Sequence, residues 1–125
     1  MRSRRTVLVA VALAAVLTTI SVSSPVRADE SGLRAATLKE TRAFMAGAGI
    51  DGPARCVSVH FSRSDERWAL ASQTRRCGPN SGHTTVYRQK KNGQWKSVFY
   101  DMQTDGCEVY NLPASVVTDF RPFVC

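Results

Sequence analysis

Apolar and polar residues alternate most regularly between Thr84 and Tyr100, TTVYRQKKNGQWKSVFY, where two strand-like runs flank Asn92-Gly93. Asn-Gly suits a two-residue type I′ turn, whose central residues need positive φ and whose twist matches the strands it joins. Placing Lys91 opposite Gln94 sets Lys90 opposite Trp95, Tyr87 opposite Val98 and Val86 opposite Phe99, with alternate pairs on alternate faces. In that register Val86, Trp95 and Phe99 share one face.

Period-two alternation recurs upstream. Val57, Val59 and Phe61 lie on one side of a short strand and Cys56, Ser58 and His60 on the other. The polar turn Ser62 to Glu66 leads back into Arg67 to Ser72, where Trp68 and Leu70 face the same way. Cys77 to Gly82 is dense in turn formers and joins this hairpin to the next, so four antiparallel strands in meander order follow.

Helical spacing brackets the strands. Leu38, Thr41, Met45 and Ala48, with Phe44 beside them, form an apolar stripe behind the capping-box sequence Thr37-Leu38-Lys39-Glu40. A start as early as Ser31 fits this pattern, Asp29 to Gly32 reads as a frayed lead-in, and Gly47 and Gly49 end the helix. Cys107 to Tyr110 reads as a short edge strand or an extended tie. Pro113 opens a short C-terminal helix, Ala114 to Arg121, with Val116, Val117 and Phe120 as its stripe and Pro122 as its stop. The expected fold class is α+β: a four-strand antiparallel sheet of two hairpins, an N-terminal helix and a short C-terminal helix.

The first 28 residues change how the composition is read. Arg2, Arg4 and Arg5 precede the uncharged apolar run Val7 to Ile20, and Val26-Arg27-Ala28 places small residues at a cleavage position, so residues 1–28 read as a secretory signal cut after Ala28. A membrane span needs about 20 apolar residues, and Ser21, Ser23, Ser24 and Pro25 interrupt the run before that. Ser3-Arg4-Arg5-Thr6-Val7-Leu8 resembles the twin-arginine export motif, although Val7 and Val9 stand where that motif prefers Phe and Lys; ordinary unfolded secretion is the expectation. Four arginines leave with the signal and none of the 10 acidic residues does, so the net charge falls from +7 to +3. That balance removes most of the case for general nucleic-acid binding. Residues 29–125 make one domain with a modest core.

Cys56, Cys77, Cys107 and Cys125 are an even set in a small exported chain and read as two disulfides. Of three connectivities, sequential pairing closes two local loops: Cys56 to Cys77 around a hairpin and Cys107 to Cys125 around a helix. A mirror about the first turn sets Cys56 near Gln73, so a bent end must bring Cys77 into reach. Zinc would want close cysteine pairs, and His60 and His83 do not stand at ligand intervals, so neither metal nor cofactor is expected.

Few residues offer catalysis. A nucleophilic triad would need His60 or His83, and the cysteines are committed to disulfides. A ribonuclease-like set can be assembled from Glu66 or Glu108 as base, His60 or His83 as acid, and Arg75, Arg76 or Arg88 on the phosphate, but any basic chain of this size offers such ingredients. Asp65-Glu66 sits in a turn, where adjacent acids are usually solvated. The stronger candidate is a binding patch at the hairpin tip, Arg88, Lys90, Lys91, Trp95 and Lys96, with Arg75 and Arg76 near it; its plain alternative is a charged edge that resists aggregation.

Cys56, Trp68, Cys77, Gly93-Gln94-Trp95, Cys107, Pro113-Ala114-Ser115-Val116 and Cys125 together resemble a loose group of uncharacterised small secreted proteins of actinobacterial type. The resemblance implies a secreted, disulfide-stapled α+β domain without an assigned activity. Asn92-Gly93-Gln94-Trp95 through Tyr100 to Cys107-Glu108 also resembles the last hairpin of the secreted subtilisin inhibitors, but the Cys-Pro reactive segment of that family is missing. The expected function is a non-catalytic, monomeric binding domain of the extracellular space or cell envelope, touching an anionic envelope polymer or an extracellular protein. Protease inhibition and RNA cleavage are the alternatives.

Overall fold

A computed structural model describes residues 32–78 and 83–125. The expected signal, its cleavage after Ala28 and most of the Cys77 to Gly82 turn lie outside the described residues. The fold is α+β, with an antiparallel sheet in the order β1-β2-β3-β4-β5. The strands are β1 (Leu33–Ala35), β2 (Val57–Ser62), β3 (Trp68–Gln73), β4 (Thr84–Gln89) and β5 (Trp95–Tyr100). The helices are α1 (Leu38–Ala48), α2 (Gly106–Val109) and α3 (Ala114–Phe120). Among the described residues none of them is long and apolar enough to cross a membrane.

Among the described residues the sheet therefore has five strands, not four. Gly32 to Ala35, expected as a frayed lead-in or early helix, contains β1, which pairs with β2 as Leu33↔Ser62, Arg34↔Phe61 and Ala35↔His60. Three residues are too few for alternation to show. What holds them is packing: Leu33 is buried in the core, and Arg34 lies 5.0 Å over the Phe61 ring.

Two apolar clusters sit on opposite faces of the sheet. Phe44 and Met45 of α1 cover Val59, Phe61, Ala69 and Ala71 on one face. On the other, Trp68, Leu70, Val86 and Phe99 meet Cys107, Leu112, Val116, Phe120 and Val124 from the C-terminal segment. The capping box at the start of α1 is formed, with Glu40 N–H donating to Thr37 Oγ1 and Thr37 N–H to Glu40 Oε2, and the left-handed Gly49 (φ 68°) ends the helix.

Both disulfides follow the sequential pairing, Cys56–Cys77 and Cys107–Cys125. The reach problem at the first is solved by two short 3-10 turns, Ala54–Cys56 before β2 and Arg75–Cys77 after β3, which bend both chain ends together. The Thr74 N–H donates to Cys56 O there, and the Cα atoms of Cys56 and Cys77 stand 5.4 Å apart.

The hairpin register differs from the expected one. Lys90 N–H donates to Gln94 O, Gly93 N–H to Lys90 O, and Gly93 alone of the turn residues has positive φ, at 83°. This is a three-residue connection, Lys91 to Gly93, built on a type I turn with a left-handed glycine at its end. Trp95 accordingly stands opposite Gln89, not Lys90. Val86 does pair with Phe99, but a bulge then intervenes, and Tyr87 lies opposite Ser97 and not Val98. One extra residue on β5 flips the faces: Phe99 joins the α3 side with Val86, whereas Trp95 joins the α1 side with Phe44 and Tyr87.

The segment after β5 is also not a strand. Gly106 to Val109 forms the single turn α2, because a helical turn brings Gly106 flat onto Phe99; a Cβ there would stand 2.3 Å from the ring. Cys107 is thereby buried where it can bond Cys125. Pro113, expected at the first helical position, is instead the N-cap of α3, and its carbonyl accepts the Val117 N–H at 2.9 Å.

Candidate functional site

The C-terminal segment covers only part of its face of the sheet. Toward the hairpin tip the face is open, and a groove of about 600 Å3 lies there. Its floor is a row running across three strands: Trp68 on β3, Arg88 opposite it on β4, and Lys96 opposite Arg88 on β5. Lys90 and Lys91 line the turn end, and Val98 and Tyr110 the end nearest α2.

Each wall has a structural cause. Trp68 is buried, and the Arg88 guanidinium lies 5.6 Å from its ring centroid, a cation–π contact that orients the side chain while leaving it exposed. Tyr110 follows α2 and stacks on Phe99 with ring planes 2° apart and centroids at 5.5 Å, so its ring stands beside the groove and stays 42% exposed. Val98 is the bulge residue.

The electrostatics are unbalanced. Arg67 at the groove's margin is held by Asp65 through Nε at 3.0 Å and a second guanidinium nitrogen at 2.9 Å, and this side-chain hydrogen bonding, more than the charge itself, keeps the Asp65 carboxyl below the usual range. Among the described residues, no carboxylate forms an ion pair with Arg88, Lys90, Lys91 or Lys96. Arg88 and Lys96 are cross-strand neighbours of like charge, an arrangement that costs stability.

Four of the five residues expected in the patch are thus brought together. Trp95 is not; it lies on the opposite face, 5.1 Å from Phe44 and 5.8 Å from Phe61 between ring centroids. Arg75 and Arg76 also lie elsewhere, beyond the far end of β3. Tyr110 and Arg67 take part instead. Arg67 borders Trp68 in sequence and could have been found from the pairing of β3 with β4, whereas nothing local to Tyr110 points at the groove.

Trp95 lines a second hollow, of about 390 Å3, with Arg34, Glu40 and Glu66. Its charges satisfy one another: Arg34 bonds Glu40 at 3.0 Å and Glu66 at 2.6 Å. The Arg34 hydrogen bond, with help from the Thr37 N–H, holds the Glu40 carboxyl down at about 2. Each of these charged groups is thus already in an ion pair.

The residues considered for catalysis are dispersed. Glu66 is engaged with Arg34, His83 lies 3.2 Å from Asp101, His60 stands on β2 opposite Leu70, and Glu108 is exposed on α2. No described Glu and His share a hydrogen bond. Comparisons of the chain with protein-family models, with curated proteins and with solved structures found no significant match, so the chemistry of the groove itself carries the functional reading.

Proposed function

We propose that the protein is an extracellular, non-catalytic binding domain that holds an anionic chain in the groove at the tip of the β4–β5 hairpin. Two disulfides and the absence of a membrane-crossing helix among the described residues are consistent with an extracellular setting. The observation that carries the reading is the Arg88–Lys96 cross-strand pair. Two cations set side by side, neither in an ion pair among the described residues, repel one another, and an anion lying across both relieves that repulsion. Protection of the edge accounts for Lys96 on β5 but not for Arg88, which stands beside it on the inner strand β4.

The test is retention of the oxidised protein on isolated envelope material and on culture-fluid proteins as salt is varied. Retention should weaken steeply with rising salt, and Lys90→Gln, Lys91→Gln and Lys96→Gln together should abolish it at low salt, where the Debye length exceeds about 10 Å. Unchanged retention in that triple variant rejects the groove. RNA cleavage and stoichiometric inhibition of subtilisin, measured on the same preparation, check the two other readings.

A further inference from the structure

The groove opens along the free side of β5. In the sheet order β5 is the last strand, with β4 as its one neighbour among the described residues. Lys90 N–H donates to Gln94 O, and Arg88 stands opposite Lys96, so Gln94 and Lys96 turn their backbone groups toward β4. Alternation then turns the N–H and carbonyl groups of Trp95 and Ser97 outward. Farther along, Gln103 N–H occupies Tyr100 O, so the open length of the edge runs from Trp95 to Ser97, directly beside the groove.

We infer that the anionic chain is an acidic polypeptide segment that adds to this edge as a further strand; the inference rests on the groove being the binding site. An added strand would exchange hydrogen bonds with Trp95 and Ser97. The residue between those two contacts stands opposite Lys96, and its side chain projects on the groove face, with Cβ atoms about 5 Å apart. A Glu or Asp at that position extends the row Trp68, Arg88, Lys96 by one and sets a carboxylate against the two unpaired cations. Two residues farther toward the turn, the same face presents Gln94 beside Lys90, where a second carboxylate fits.

Charge selects the partner and the backbone edge sets its register. Lys96 and the Val98 bulge are devices that keep apolar strands off a sheet edge. The same devices admit a strand that carries acid opposite Lys96. A polyphosphate or an anionic sugar chain would meet the cations but has no amide ladder to match the outward groups of Trp95 and Ser97.

The test is fluorescence anisotropy of the oxidised protein with a labelled, capped peptide of alternating Glu and Val at low salt. Placing Glu opposite Lys96 makes the Val residues those whose N–H groups point at β5. N-methylation of the Val amides should therefore weaken binding about ten-fold or more, since each backbone bond contributes about 1 kcal/mol, while N-methylation of the Glu amides should leave it within about two-fold. Lys96→Gln should also weaken the unmethylated peptide, with circular dichroism confirming an unchanged fold. Equal binding of the two methylated peptides, or binding of inorganic polyphosphate without binding of the peptide, overturns the peptide inference and leaves the groove standing. Binding of neither probe overturns both.

Discussion

Asp119 on α3 accepts a 2.6 Å hydrogen bond from the Ser62 hydroxyl at the end of β2, with both side chains buried. The same carboxylate oxygen accepts the Ser64 N–H at 3.0 Å, and Ser62 Oγ accepts from Asp65 N–H. This cluster ties the C-terminal helix to the β2–β3 turn. Burial by itself pushes the Asp119 carboxyl up, but the hydrogen bonds from Ser62 and Ser64 and the nearby Arg63 charge outweigh it and hold the group below the usual aspartate range. A depressed folded value means that the stabilisation is complete above the unfolded value of about 4 and is lost as pH falls through the lower folded one. Asp119→Ala should cost about 3 kcal/mol in urea unfolding at neutral pH, because Ser62 Oγ and Ser64 N–H lose their partner. Asp119→Asn should flatten the acid limb of the stability curve below pH ~4; an unchanged limb would assign acid lability to other carboxylates, Glu40 first.

Opening the Cys107–Cys125 bridge should cost about 3 kcal/mol, the chain-entropy value for a loop of this size. Its 18-residue separation encloses α2 from Cys107 onward and all of α3, which cover one sheet face. In the Cys107→Ala, Cys125→Ala double variant, hydrogen exchange should quicken most in α3, with the β2–β3 amides less affected. Uniform loss of protection across all elements would show that the two layers unfold as one unit.

Gly93→Ala tests the form of the hairpin turn. No atom lies within 4 Å of the added methyl, so its cost is purely the left-handed backbone at φ 83° and should be about 1 kcal/mol, or roughly 4–8 °C in Tm. Asn92 has no positive φ. Its own replacement by Ala should act through two lost exposed bonds, Gln94 N–H to Asn92 Oδ1 at 3.0 Å and Asn92 Nδ2 to Gln94 Oε1 at 3.2 Å, and not through backbone strain. Similar strain penalties at both positions would favour the two-residue turn instead.

Tryptophan quenching reports the two faces. Trp68 is 6% exposed, whereas Trp95 is half-buried against Phe44 and Phe61. Trp95→Phe should leave an emission that acrylamide quenches less than it does the unmodified protein. A neutral quencher is needed, since the Arg88 guanidinium over Trp68 would attract iodide. Stronger quenching in that variant would place Trp68 at the surface.

The elements readable in advance were those whose signals are local. Thr37 and Glu40 announce α1 within one turn, and the alternation of Val57, Val59 and Phe61 announces β2. The cysteine pairs close loops short enough to be guessed from the hairpin and helix between them. The cationic tip was equally legible, since Arg88, Lys90, Lys91 and Lys96 crowd one turn.

What the amino-acid sequence determined by itself is therefore the list of parts: an α+β chain, its principal helix, four of five strands, and two staples. The tertiary structure decided which residues share a face. The bulge at Val98 inserts one residue into β5, and because side chains alternate with period two, that one residue moves Trp95 out of the patch. β1 exists because Leu33 finds a core to enter, not because three residues prefer to be extended. Tyr110 reaches the groove only because Gly106 lets α2 lie against Phe99. Register and layer packing depend on contacts between distant segments, and no local pattern carries them.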